Sequence, residues 1–278
     1  MLFLLVMDIT RSIESAEKQY KQILEEFFTS VFNEVVLPSH GIDHHRRVWN
    51  YARELVQLIP LKNTGRNLSL TSNLIIACYL HDIGMSVDPG VKHGKISKKL
   101  CKRFLKQYHL HEKDYGDVLD AIEFHDNKDY TDEFTGNELL RILSISDDLD
   151  AFGYTGVFRY LEIYLKRNFN LEKIGDLIRD NAAKRYDNFA NSFTSFNELV
   201  LKHRKRYEIL DNFFRKYNEQ LPSYHFGTLN PYGYCGVVEL FIQMKNTSIE
   251  LKELIKTFGN SGDPVIKSYF SGLKKELY

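Results

Sequence analysis

The chain has 278 residues, 43% hydrophobic and 27% charged, the proportions of an ordinary folded protein, which excludes disordered and fibrous classes. Lysine plus arginine equals aspartate plus glutamate at 37 each, so no overall basic field points to nucleic acid or to a membrane surface. Cys78, Cys101 and Cys235 have neither the CxxC spacing nor the number of a disulfide framework, which makes the cytoplasm the expected compartment.

At the N-terminus the apolar run Met1 to Met7 is cut short by Asp8, with no basic residue before it and no small-residue cleavage site after it. It reads as a docked N-terminal segment rather than a signal peptide. No later apolar stretch has the length needed to span a bilayer.

From Ser12 to Val36, apolar residues recur at helical spacing (Ile13, Ala16, Tyr20, Leu24, Phe27, Val31, Val35), and the pattern ends before Pro38. A second helix is predicted from Asp43 to Ile59, and a third from Ser69 or Thr71 to His81, stopping at Gly84. After a polar loop with Asp88-Pro89-Gly90 come helices over 94–108, 113–125 and 136–152, the last two separated by a turn-rich break from Asn127 to Thr135. Gly153 and Gly156 are expected to interrupt the next helix, so that it runs from Val157 to Arg167.

Helices over 171–189 and along the stripe Val200, His203, Tyr207, Leu210, Phe214, Tyr217, Leu221 follow. The basic cluster 202–206 is interspersed with acidic residues and reads as a solvated helix face. Pro222 to Gly236 is the least helical segment of the C-terminal third and reads as an aromatic-rich packed connection in preference to a lid. Two more helices are expected, one from a capping box at Thr247 to Glu250 and one from Asp263-Pro264. With period-two alternation nearly absent, the fold class is all-α.

Ionisable residues fall where these helices turn their apolar faces. His44 shares a face with Val48, Tyr51, Ala52 and Leu55; His81 follows Leu74, Ala77 and Cys78 at helical spacing; Asp82 is adjacent where the helix ends at Gly84. His125 follows Val118 and Ile122, and Asp147 follows Leu140, Leu143 and Ser144. One inward histidine is usually a hydrogen-bonded core residue. Five such inward residues in one domain favour a metal site, since an unpaired buried charge costs several kcal/mol. Two imidazoles and two carboxylates suit Mn, Fe, Co, Ni or Zn, and leave coordination positions for water and substrate. The dipeptide His-Asp occurs twice, at 81–82 and 125–126. Only the first closes an apolar run, and Asp126 is expected in a solvated turn.

His44 with Arg47-Val48, then His81-Asp82, then Asp147 in Ser146-Asp147-Asp148-Leu149-Asp150 together resemble the H…HD…D signature of the HD-domain metal-dependent phosphohydrolases. His93-Gly94 with Ser97, and His125, resemble further positions of a subgroup of small bacterial and fungal HD hydrolases. The subgroup often has His-Asp where this chain has His40-Gly41, which leaves the role of His40 open, and a positive residue where this chain has Asp148.

The resemblance implies an HD-domain-like helical bundle with additional C-terminal helices. The expected layout is an N-terminal helix over 1–37, a core over 38–221 and an extension of the same globular unit over 222–278. It implies that His44, His81, Asp82 and Asp147 bind one metal. His93 and His125 either bind a second ion shared through Asp82 or donate to a substrate phosphate; Asp82, His93 and His125 are thus the catalytic candidates. Mg is a further candidate as activator. Arg47, Lys92 and Lys95 are candidates for holding phosphate.

The function so implied is hydrolysis of a phosphate ester or anhydride, in a nucleotide or another small phosphorylated metabolite, by metal-bound hydroxide. The alternatives are a di-iron oxygenase of HD type and a non-catalytic metal- or nucleotide-binding module. No membrane partner is expected.

Overall fold

The computed structural model describes the backbone of residues 2–59, 64–127, 137–247 and 249–278, and their side chains from residue 9 onward, those of 64–67 excepted. The apolar side chains of 1–7, most of the break from Asn127 to Thr135 and Ser248 of the expected capping box lie outside the described residues. The chain is all-α: among the described residues there are twelve α-helices with short 3-10 turns and no strand. None of these helices is long and apolar enough to cross a membrane. The chain divides into two compact units, residues 1–149 and 150–278.

In the first unit α1 (Leu2–Phe32) lies along α2 (Ile42–Leu58) and α3 (Thr64–Leu80). Its stripe Ile13, Ala16, Tyr20, Leu24 and Phe27 is buried as the spacing predicts, each large side chain contributing about 1.5–3 kcal/mol of hydrophobic stabilisation. The helix stops at Phe32 rather than running to Val36, which is 81% exposed. Pro38 disfavours helical geometry at Leu37, which lies outside it (φ −145°, ψ 73°), and begins a 3-10 turn, Pro38–His40.

α3 enters the core with Leu74 to Leu80 entirely buried, as expected of a helix covered on several sides. It ends in the 3-10 turn Ile83–Ser86, against which α4 (His93–Gln107) packs; α4 in turn contacts α5 (Gly116–Phe124). The helix predicted over 113–125 is thus split, with a 3-10 turn at Glu112–Tyr115 before α5 begins at Gly116. α6 (Glu138–Asp150) follows.

The second unit holds α7 (Gly153–Lys166), α8 (Leu171–Ser192), α9 (Asn197–Gln220), α10 (Gly233–Thr247), α11 (Leu251–Phe258) and α12 (Pro264–Leu277). Gly153 and Gly156 start α7 instead of interrupting it. Gly153 takes the left-handed conformation (φ +74°), which makes the sharp turn, and Gly156 lies against the Ala151 carbonyl, where a side chain has no room.

α10 stands where no separate helix is predicted. Its Cys235, Val237, Val238, Leu240 and Phe241 are buried, so it is apolar nearly all round and carries little amphipathic signal. The expected capping box dissolves accordingly: Thr247 closes α10 and Glu250 precedes α11 with no side-chain cap bond. Asp263 does cap α12, accepting from the backbone of Val265 (3.0 Å) and Ile266 (2.9 Å) ahead of Pro264. Along α9 the stripe residue His203 is fully buried against Phe189 (ring centroids 5.3 Å), while Lys202, Arg204 and Lys205 of the basic cluster are exposed.

Candidate metal centre

Three elements of the first unit deliver the inward residues. α2 supplies His44, the turn that closes α3 supplies His81 and Asp82, and α6 supplies Asp147, all buried. One donor atom from each lies within 4.8 Å of the others. His44 Nε2 and His81 Nε2 are 3.2 Å apart, and Asp147 Oδ1 is 3.8 and 3.9 Å from them.

A second set, Asp82, His93 and His125, meets the same criterion. Two glycines allow it. A Cβ on Gly84 would meet the His93 carbonyl and, at 2.7 Å, the Ser97 amide; one on Gly94 would stand 2.5 Å from the Glu123 carbonyl. The bare backbones let α4 close onto the His81-Asp82 turn and onto α5. Ser97 secures the approach by accepting the Gly84 amide (2.8 Å).

Asp82 joins the two sets through different oxygens. Oδ2 faces His81 (3.4 Å) and His44 (3.5 Å), whereas Oδ1 faces His125 (3.0 Å) and His93 (3.3 Å).

The rings are oriented by their far nitrogens. His81 Nδ1 donates to the Cys78 carbonyl (2.9 Å), His93 Nδ1 to that of Gly90 (2.7 Å) and His125 Nδ1 to that of Ile122 (2.8 Å). A carbonyl only accepts, so in each neutral ring the proton sits on Nδ1 and the Nε2 lone pair points into the centre, the tautomer a metal ligand needs. His44 Nε2 and His81 Nε2, 3.2 Å apart, must share a proton or a cation between them. The residues present therefore fit a divalent metal with mixed nitrogen and oxygen donors.

Charge is strongly coupled in this space. Burial drives the His81 pKa down, but Asp82 and Asp147 outweigh it and lift it to about 10; His93 is lifted to about 9, against its burial, by Asp82 and Asp126. Burial opposes ionisation of Asp82, yet His81, His125 and His44 hold its pKa well below the usual carboxylate range. At His125 burial prevails over the Asp82 bond and the pKa falls.

Two further histidines belong to this neighbourhood. His45, fully buried, donates from Nδ1 to the carbonyl that also serves His81 (Cys78 O, 3.1 Å), and burial with the nearby His44 and His81 keeps its pKa well below normal. His40 is buried with Nε2 3.7 Å from Asp82 Oδ2. His45 lies off the apolar stripe of α2 and His40 precedes the helix, so helical spacing singles out neither; His40 stands where the resembled subgroup often has His-Asp, and adjacency to His44 is the signal for His45.

Of the phosphate candidates, Arg47 is half-buried, while Lys92 and Lys95 are exposed at the start of α4. Asp126 is exposed in a turn as expected, although Oδ2 comes within 3.9 Å of His93 Nε2. Asp148 is fully buried.

A helical domain whose core carries His, His-Asp and Asp on separate helices is of the HD class. The HD-CE family model matches residues 20–225, the greater part of the chain, and the chain belongs to that family. No curated protein and no solved structure matches it significantly. Family membership and the buried His/Asp cluster together point to an HD-type metal-dependent hydrolase.

Proposed function

We propose that the chain is a phosphohydrolase acting on a nucleotide or another small phosphate ester or anhydride, with His44, His81, Asp82 and Asp147 holding one divalent ion and Asp82, His93 and His125 a second. The observation that supports this most is the division of Asp82, whose two oxygens serve different donor sets. Bound there, divalent ions lower the pKa of a coordinated water to about 7 and polarise a phosphoryl oxygen.

The protein's own part is positional. Nδ1 bonds to backbone carbonyls fix the rings of His81, His93 and His125, and Asp82 sets the spacing of the two sets. Arg47, Lys92 and Lys95 are the candidates for neutralising a substrate phosphate. The proton of the attacking water would pass to Asp82 or to a nearby group. Three free, buried cysteines fit a reducing compartment such as the cytoplasm.

Protein purified without chelator should contain up to two transition-metal ions per chain and release phosphate or pyrophosphate from a nucleoside mono-, di- or triphosphate. No turnover of any phosphate ester with Mn, Fe, Co or Ni would remove the proposal. Asp82→Asn should empty both donor sets and lower activity by more than about 100-fold, the upper range for groups that merely support a ligand. Two donor sets sharing a carboxylate also suit a di-iron oxygenase, for which oxygen consumption and a mixed-valent iron signal would be diagnostic.

A further inference from the structure

His40 stands at the edge of the centre but outside both donor sets. Its Nε2 is 3.7 Å from Asp82 Oδ2, and its ring centroid is 5.2 Å from that of His44. What distinguishes it from His81, His93 and His125 is the partner of Nδ1, which is the buried hydroxyl of Ser39 at 2.7 Å and not a carbonyl.

That difference bears on which nitrogen carries the proton. A carbonyl obliges Nδ1 to be the donor, leaving a lone pair on Nε2; a hydroxyl can itself donate, so that Nδ1 accepts and Nε2 carries the hydrogen. The nearby Asp82 carboxylate stabilises a positive N–H edge on Nε2 in preference to a lone pair. Three rings are therefore set as ligands, whereas the Ser39 hydroxyl allows Nε2 of His40 to carry the hydrogen.

We propose that His40 is a substrate-contacting residue of this centre, its Nε2–H donating to a phosphoryl oxygen of the bound substrate while Ser39 holds the ring in the donor tautomer. The role rests on the phosphohydrolase reading. It calls for a neutral donor aimed at the place where charge accumulates, and burial makes such a bond count for more than it would in water. The 3-10 turn that ends the first inter-helix connection, Pro38–His40, thereby becomes part of the site.

The test uses the whole chain loaded with Mn²⁺, with orthophosphate as the probe. Calorimetric titration of His40→Leu should show affinity for orthophosphate weakened roughly tenfold, as loss of one hydrogen bond to a charged group predicts, with metal stoichiometry unchanged. His40→Gln, which can place an amide N–H near the same position, should recover most of the affinity, and Ser39→Ala should lose part of it. Should His40→Leu fail to fold, the Gln and Ala variants carry the comparison. Equal phosphate affinity in the variants and the unaltered protein would overturn the proposal, as would loss of bound Mn²⁺ on removing His40, which would make it a ligand. If the unaltered Mn²⁺-loaded protein binds no orthophosphate, the phosphohydrolase reading itself falls; binding by it with no effect of His40 sinks only the role of His40.

Discussion

At residue scale, what was legible depended on whether chemistry coincided with periodicity. His44, His81, His125 and Asp147 sit in register with apolar neighbours on their own helices, and the structure buries them all. His45 was not legible because α2 is covered on more than one side: about 100° round from His44, it is buried beneath Phe28 of α1, ring centroids 4.7 Å apart. The approach of α4 was legible only as a glycine next to a histidine, and its reason is steric. In Gly84→Ala the added methyl meets backbone at His93 and Ser97, which cannot turn aside, so overpacking should cost about 1–3 kcal/mol. Because α4 carries His93, metal titration of this variant should show the set Asp82, His93, His125 weakened more than the set containing His44.

At the scale of elements, the helices that sequence periodicity located best are those with one wet face. α10, buried nearly all round, left no stripe to find, and α7 began earlier than predicted because Gly153 makes a turn with a left-handed φ and Gly156 fits against backbone. α1, α2 and α3 are joined by one carboxylate: Glu25 on α1 accepts from Arg46 of α2 at 3.0 and 2.7 Å and from Tyr79 of α3 at 3.2 Å. The Arg46 bond foremost, opposed by partial burial and helped by its charge and by Tyr79, lowers the Glu25 pKa. A lowered carboxylate pKa contributes stability above the unfolded-state value, near 4.5, and loses it as pH falls through the folded-state value. Glu25→Gln should therefore cost up to about 1 kcal/mol at pH 7, the scale of a solvent-screened pair. In urea titrations the gap to the unaltered protein should close below pH 4.5.

For the whole molecule, the family match runs across both compact units, yet every residue of the candidate centre belongs to the first. The second unit has its own pH response. Burial first, then the charges of Arg206 and Lys202, depress the His203 pKa to about 3. Between the ordinary value of 6.5 and that depressed value, the unfolded chain binds a proton that the folded chain refuses, so stability falls as pH falls across this window. The limiting slope is about 1.4 kcal/mol per pH unit. Denaturant titrations from pH 7 to 4.5 should show His203→Leu with a visibly shallower loss.

The carboxylate that divides its oxygens between two sets of imidazoles also makes the protein a store of acid. With His81 held at about 10 and His93 at about 9, both rings carry a proton at pH 7, and each must surrender it before Nε2 can take an ion. Filling both sets should expel about two protons per chain, so two divalent cations would add about two net charges in place of four. Apparent metal affinity should then climb by up to about tenfold per pH unit for each displaced proton, levelling above the raised values of about 9 and 10. Adding metal to the metal-free protein in weak buffer at pH 7 should acidify the solution, and a lack of proton release would show that these rings are already neutral there.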